Sequence, residues 1–155
     1  MSPEEMREEA TALFMKRFHC SQAVLAAGLS KAGIKNEGAV KALGLFGGGI
    51  SGSGRVCGVL SGSIALISTL FSRGSLDGKE DPRMWRLGHE AIARFEELSK
   101  EFGGTDCRDI AGIDWRDPKA AKDFYANPES SRRRCVQLVG DMAFILGELL
   151  DRELQ

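Results

Sequence analysis

Four cysteines are the residues of this 155-residue chain that could most readily carry out chemistry. They are Cys20, Cys57, Cys107 and Cys135. Cysteine thiolates act as nucleophiles, as redox groups and as metal ligands, so the chemistry indicated is thiol–disulfide exchange, electron transfer or metal binding. No C-x-x-C pair is present, so the fold itself must assemble any pair of thiols. The functional prediction therefore depends on whether the four thiols converge in space.

Cys57 lies in a glycine-rich stretch, Gly44 to Gly62, which leads into an apolar helix. We place Cys57 in the first turn of that helix, where unpaired N–H groups and the helix dipole stabilise a thiolate. This position predicts a lowered pKa and makes Cys57 the expected nucleophile. A cysteine on an apolar helix is equally often a small buried hydrophobic residue. Position alone does not separate the catalytic interpretation from the structural one.

The other three cysteines each have a basic neighbour in sequence. These neighbours are His19, Arg108 and the run Arg132, Arg133 and Arg134. Positive charge close to a thiol favours the thiolate. We predict Cys20 as the resolving partner of Cys57, with Cys107 and Cys135 forming a second pair or completing one cluster.

Metal binding is the alternative use of four thiols. Cys20, Cys57, Cys107 and Cys135 could together ligate zinc, an iron–sulfur cluster or haem iron. The long separations along the chain, with no two ligands in one turn, make this hypothesis weaker than the redox hypothesis. The redox hypothesis requires no cofactor, and its electron partner would be a protein or a small molecule.

Two other kinds of site are disfavoured. Residues Gly47 to Gly52 fit G-x-G-x-x-G, but no βαβ pattern surrounds them and no Walker lysine follows, which argues against a dinucleotide or nucleotide site. His19 and His89 are the only histidines, and neither belongs to a Ser/His/Asp order or an H-x-x-x-H spacing. We interpret both as surface or packing residues, with a modest additional claim for His19 because it precedes Cys20.

The composition limits the partners and the compartment. The net charge of −1 gives no field that would steer the chain to nucleic acid. The charged N-terminal residues lack the apolar core of a signal peptide, which predicts a cytoplasmic protein whose cysteines are kept reduced. The longest uncharged run, Val56 to Phe71, is too short and too polar for a membrane span.

Helical signals recur along the whole chain. Each of the four prolines follows a good N-cap residue, as in Ser2-Pro3, Asp81-Pro82, Asp117-Pro118 and Asn127-Pro128, and so marks a helix start. Apolar residues at helical spacing follow each start, and the first such pattern is either one helix or two helices broken near His19. We place Cys107 in a loop. The prediction is an all-α bundle of about six helices in a single domain, residues 1–155.

The order of the cysteines resembles that of a known family of small bacterial and archaeal proteins. Cys20, the block Cys57-Gly58-Val59-Leu60-Ser61-Gly62, Cys107 and Cys135 are similar to the pattern of the C_GCAxxG_C_C family, and the resemblance spans nearly the whole chain. Val59 stands where the family has alanine, and Gly58 follows the cysteine where the family label has glycine before it.

This resemblance implies redox activity at all four cysteines, without a settled substrate. It favours the thiol–disulfide or electron-transfer hypothesis over the metal hypothesis. A third hypothesis is a helical interaction module in which Gly58 and Gly62 only permit close packing, including packing across a homodimer.

Overall fold

The computed structural model describes all residues, 1–155, and consists of eight α-helices without a strand. The helices are α1 (Pro3–Met15), α2 (Cys20–Lys31), α3 (Glu37–Ala42), α4 (Gly58–Phe71), α5 (Met84–Ser99), α6 (Cys107–Ile110), α7 (Pro118–Ala126) and α8 (Arg132–Glu153). Short 3₁₀ turns cover Gly44–Phe46 and Lys100–Phe102. The all-α prediction is confirmed, but the expected number of about six helices was too low.

The two additional helices both carry a cysteine. The apolar pattern that follows Ser2 is divided into α1 and α2, because Arg17 adopts a left-handed conformation with φ 82°. The chain therefore turns before His19, and α2 begins at Cys20. The second addition is α6, where Cys107 begins a helix instead of lying in a loop. Both differences place a cysteine at a helix N-terminus.

Two of the four proline signals mark the helix start correctly. Pro3 and Pro118 are the first residues of α1 and α7, and Ser2 and Glu5 form the predicted capping box. The predicted starts at Pro82 and Pro128 are early by two and four residues, since α5 begins at Met84 and α8 at Arg132. The residues between Pro128 and α8 form a turn.

Five helices form the main bundle, in which α1 packs on α2 and α8, α4 packs on α2 and α5, and α5 packs on α8. Its core contains the large side chains that are most completely buried: Met6, Leu25, Leu66, Leu87, Phe95, Leu138, Met142 and Leu146. These residues come from all five helices. Burial of their apolar surface is the main term that holds the bundle together.

Glycines bring α2 and α4 unusually close. A Cβ atom at Gly62 would lie 2.5 Å from the Ser21 carbonyl oxygen, and one at Gly28 would lie 2.3 Å from the Leu66 side chain. Each helix therefore contributes a glycine against which the other helix packs. The same explanation holds for α1 and α8, where a Cβ at Gly147 would lie 2.7 Å from Cα of Pro3. The predicted packing role of Gly62 is confirmed, and Gly147 has the same role between α1 and α8.

The segment 103–131, which carries α6 and α7, covers one end of the bundle. It has a small core of its own, formed by Cys107, Ala111 and Phe124, against which Trp115 and Tyr125 pack. Cys135 of α8 contacts both this small core and the main one. The cavity described below lies between the two cores.

None of the eight helices is both long enough and apolar enough to cross a membrane.

Candidate functional site: a cavity lined by four cysteines

All four cysteines line one cavity of about 210 Å³. Of its 18 lining residues, 12 are hydrophobic, and none is acidic. Cys57 and Cys107 are 6% and 9% exposed, whereas Cys20 and Cys135 are partly buried. Leu45, one of its lining residues, is 74% exposed. Thiols that are far apart in sequence therefore share one small apolar chamber.

Each cysteine also lies at or near the N-terminus of a helix. Cys20 and Cys107 are the first residues of α2 and α6, Cys57 is the N-cap of α4, and Cys135 is in the first turn of α8. Helix N-termini carry unpaired N–H donors and partial positive charge. In the longer helices α2, α4 and α8, that potential favours a thiolate over a thiol.

Cys20 and Cys57 form the most intimate pair. The Cys57 thiol and the backbone N–H groups of Cys20, Ser21 and Gly58 all lie near the Cys20 sulfur. A Cβ atom at Gly58 would lie 2.5 Å from Cys20 Sγ, so only glycine leaves room for the sulfur there. The position of Gly58 directly after Cys57 is therefore what lets the two sulfurs meet.

These contacts give the two thiols opposite acidities. The nearby Cys57 thiol and the backbone N–H groups lower the pKa of Cys20 despite its burial. The pKa of Cys57 is raised well above its ordinary value, first because its thiol lies against Cys20 and then because it is buried. The prediction of a lowered pKa at Cys57 was wrong, because these two effects outweigh the effect of the α4 N-terminus.

The glycine-rich loop wraps around one side of the cavity. Gly48, Gly49, Ile50, Ser51 and Gly52 are five consecutive residues with φ between 52° and 70°, which form a left-handed turn. A left-handed conformation is sterically unfavourable for residues with a Cβ atom, and the three glycines of this run avoid that penalty. No strand precedes this loop, and the next helix, α4, begins at Gly58.

That loop and the residues after it fix Cys57 beside Cys107. The N–H group of Cys57 donates to the Thr105 carbonyl at 3.1 Å, and the N–H group of Cys107 donates to the Arg55 carbonyl at 2.6 Å. A Cβ atom at Gly49 would lie 2.6 Å from Cβ of Cys107. The two short segments that contain Cys57 and Cys107 are thus hydrogen-bonded to each other. Each segment carries its cysteine to the same cavity.

Cys107 faces an indole donor. Trp115 Nε1–H donates to Cys107 Sγ at 3.3 Å, which favours the thiolate, but burial is the larger effect and raises the pKa of Cys107. Trp115 packs edge-on against Phe124, with ring centroids 4.8 Å apart. Aromatic side chains of the segment 103–131 therefore hold this thiol in place, and its burial keeps it protonated.

Cys135 lies next to an arginine without a hydrogen-bond partner. The Nε and Nη2 atoms of Arg132 are buried and make no hydrogen bond. Its guanidinium group lies 5.5 Å from the centroid of the Phe14 ring and 5.2 Å from that of Tyr125, and both rings line the cavity. Burial raises the pKa of Cys135, and the Arg132 charge opposes this shift.

The aromatic wall is the part of the site that the sequence analysis missed. Phe14, Trp115, Phe124 and Tyr125 all line the cavity. The signal that could have identified them is the presence of three aromatic residues between Cys107 and Cys135, in a stretch otherwise rich in charge. Apolar patterning alone would have assigned them to the core.

The two histidines differ in location. His19 is the N-cap of α2, lines the cavity and packs on Gly47, where a Cβ atom would lie 2.6 Å from the imidazole ring. His89 is exposed on α5, with its ring 6.2 Å from that of Trp85. Its interpretation as a surface residue is confirmed, and His19 is the histidine that belongs to the cavity.

The arrangement does not fit a metal centre. No three His, Cys, Asp or Glu side chains lie close enough to share one ion. The cysteines form one tight pair and two flanking thiols around an apolar space, not a common centre.

A family model agrees with this cysteine pattern. The model described as "Putative redox-active protein (C_GCAxxG_C_C)" matches residues 18–149. This range contains all four cysteines and all of the glycine-rich loop. No curated protein and no solved structure matches the chain.

Proposed function

The chain belongs to the C_GCAxxG_C_C family, and on that premise we propose that it carries out two-electron thiol–disulfide exchange at Cys20 and Cys57. Cys20 is the nucleophile and Cys57 is the resolving thiol. These roles reverse those predicted from the sequence. The proposal covers residues 1–155 as one functional domain, in a reducing, cytoplasmic setting where the dithiol form is maintained.

The observation that carries this proposal is the packing of the Cys20 sulfur against Gly58, directly after Cys57, in the cavity that both cysteines line, where a thiol with a lowered pKa lies beside one with a raised pKa. A nucleophilic thiol must be a thiolate, and its partner must hold a proton until the second step. The pair meets both requirements before any substrate arrives.

The reaction proceeds in two displacements. The Cys20 thiolate attacks one sulfur of a substrate disulfide, the substrate S–S bond breaks, and the first leaving thiolate takes the proton of Cys57. The Cys57 thiolate then attacks Cys20 Sγ and forms the Cys20–Cys57 disulfide, which releases the second substrate thiolate for protonation by water. The protein dithiol loses two electrons, and the substrate disulfide gains them.

Cys107 and Cys135 remain thiols in this proposal. Both have raised pKa values, and burial is the largest cause in each case. Their role is to line the cavity as protonated, polarisable groups while the first pair reacts.

A redox titration tests the proposed pair. We expect the reduced protein, equilibrated anaerobically in buffers of reduced and oxidised dithiothreitol, to form a Cys20–Cys57 disulfide first, with Cys107 and Cys135 still open to alkylation. Differential alkylation followed by peptide mass spectrometry measures this order. A first disulfide that joins Cys107 to Cys135, or stoichiometric iron or zinc in anaerobically purified protein, would contradict the proposal.

A further inference from the structure

The four thiols share a chamber that a large molecule cannot enter readily. Cys57 is 6% exposed, and Cys20, the proposed nucleophile, is partly buried. Thiol–disulfide exchange depends on access to the attacked sulfur. A disulfide on the surface of a folded protein would have to reach Cys20 inside a cavity that Leu45 and the glycine-rich loop help to line.

The size of the chamber suits a small molecule. An apolar cavity of about 150 Å³ is large enough to hold benzene, and this cavity measures about 210 Å³. It therefore has room for a compact disulfide of about the size of its own lining side chains. The mixed disulfide on Cys20 needs such room, because one substrate thiol stays attached after the first displacement.

The walls are suited to a molecule without charge. Most lining residues are hydrophobic, none is acidic, and His19 is the only lining side chain that can carry a positive charge. A charged group placed against such walls loses its hydration and gains no ion pair. Arg132 does not line the cavity, because its guanidinium group lies behind the Phe14 and Tyr125 rings.

A cation would be at a particular disadvantage. The N-termini of α2, α4 and α8 point their positive ends at this space, and the unpaired Arg132 charge lies close behind its wall. The negative charge that this potential stabilises is the Cys20 thiolate itself. The site thus supplies its own anion and has no acidic group with which to hold a cation.

We propose that the substrate of this site is a small, uncharged, low-molecular-weight disulfide that enters the cavity, and not a protein disulfide or a highly charged one. The proposal rests on the thiol–disulfide function proposed above and specifies its substrate class. The reaction is the exchange already written, with both substrate thiols leaving the cavity for solvent.

A panel of oxidants tests this substrate class on the reduced, unmodified protein. Bis(2-hydroxyethyl) disulfide is the probe, and cystamine is its matched control, because cystamine replaces each hydroxyl with an ammonium group at the same length. Oxidised glutathione, insulin and cumene hydroperoxide complete the panel. The rate of Cys20–Cys57 disulfide formation with each oxidant is divided by the rate of the same oxidant with free dithiothreitol, which removes differences in intrinsic reactivity.

We expect the normalised rate with bis(2-hydroxyethyl) disulfide to exceed those with cystamine, oxidised glutathione and insulin by tenfold or more. An equal or higher rate with any of these three, or with the hydroperoxide, overturns the substrate class while leaving the dithiol function in place. Failure of every oxidant to form the Cys20–Cys57 disulfide, including oxidised dithiothreitol, would instead overturn the function itself.

Discussion

Gly62→Ala is expected to lower the free energy of unfolding by roughly 2 kcal/mol, in the range typical of overpacked cores. The new Cβ atom would lie 2.5 Å from the Ser21 carbonyl oxygen, which belongs to a backbone and cannot rotate away. Helices α2 and α4 would have to separate. The better helix propensity of alanine recovers only about 1 kcal/mol of this cost. Chemical denaturation of the reduced protein measures the change.

Gly88→Ala is the matched control for this prediction. Gly88 also lies within a helix, α5, but a Cβ atom there would meet nothing within 4 Å. We expect this variant to gain about 0.5 to 1 kcal/mol of stability, because alanine has the better helix propensity. Equal effects of the two substitutions would show that the close approach of α2 and α4 does not determine the cost at Gly62.

Gly62→Ala should also impair the chemistry. Ser21, which contacts Gly62, directly follows Cys20, so the shift that relieves the clash moves the nucleophile away from Cys57. We therefore expect slower formation of the Cys20–Cys57 disulfide in the variant, even under conditions where the protein is fully folded.

Cys57→Ser is expected to trap the mixed disulfide on Cys20. Without the resolving thiol, the second displacement cannot occur, so one substrate thiol stays bound to the protein. Cys20→Ser should instead slow the reaction by at least on the order of a hundredfold, because burial raises the pKa of each of the three remaining thiols, which therefore form few thiolates. Intact-mass spectrometry after treatment with bis(2-hydroxyethyl) disulfide detects the adduct.

Cys107→Ser is the control for these two variants. Cys107 lines the same cavity and is similarly buried, but it is not part of the reacting pair. This variant should form the Cys20–Cys57 disulfide at close to the rate of the unaltered protein. An adduct located on Cys57 in Cys20→Ser, formed as fast as the adduct on Cys20 in Cys57→Ser, would show that the two roles are not distinct.

The start of a helix could be predicted from the sequence where its capping signal was local. Ser2 and Glu5 form a capping box within four residues, and Asp117 accepts a hydrogen bond from the N–H group of Lys119, so α1 and α7 begin where their prolines predict. The start of α8 was not readable, because Ser130 and Ser131 bond to the carbonyls of Phe124 and Ala111. Those distant acceptors hold the residues after Pro128 as a turn.

The identity of the reactive cysteine could not be obtained from the sequence. Cys57 and Cys20 both lie near a helix N-terminus, and the acidity of each depends on which sulfur receives the other's proton. That direction follows from the packing of α2 on Gly58, where three backbone N–H groups lie near Cys20 Sγ. The glycine-rich block does indicate the region of the site. Its Gly58, however, positions Cys20 of α2 as much as the adjacent Cys57.

The central claim is that Cys20 is the thiolate of the pair, and site-resolved alkylation of the reduced protein across a pH series tests it most directly. The iodoacetamide rate at each cysteine, followed by peptide mass spectrometry, rises with pH as that thiol ionises. We expect the rate at Cys20 to reach half its maximum below the ordinary thiol pKa of about 8.5, and the rates at Cys57, Cys107 and Cys135 to do so above it. A titration in which Cys57 ionises at lower pH than Cys20 would contradict the account.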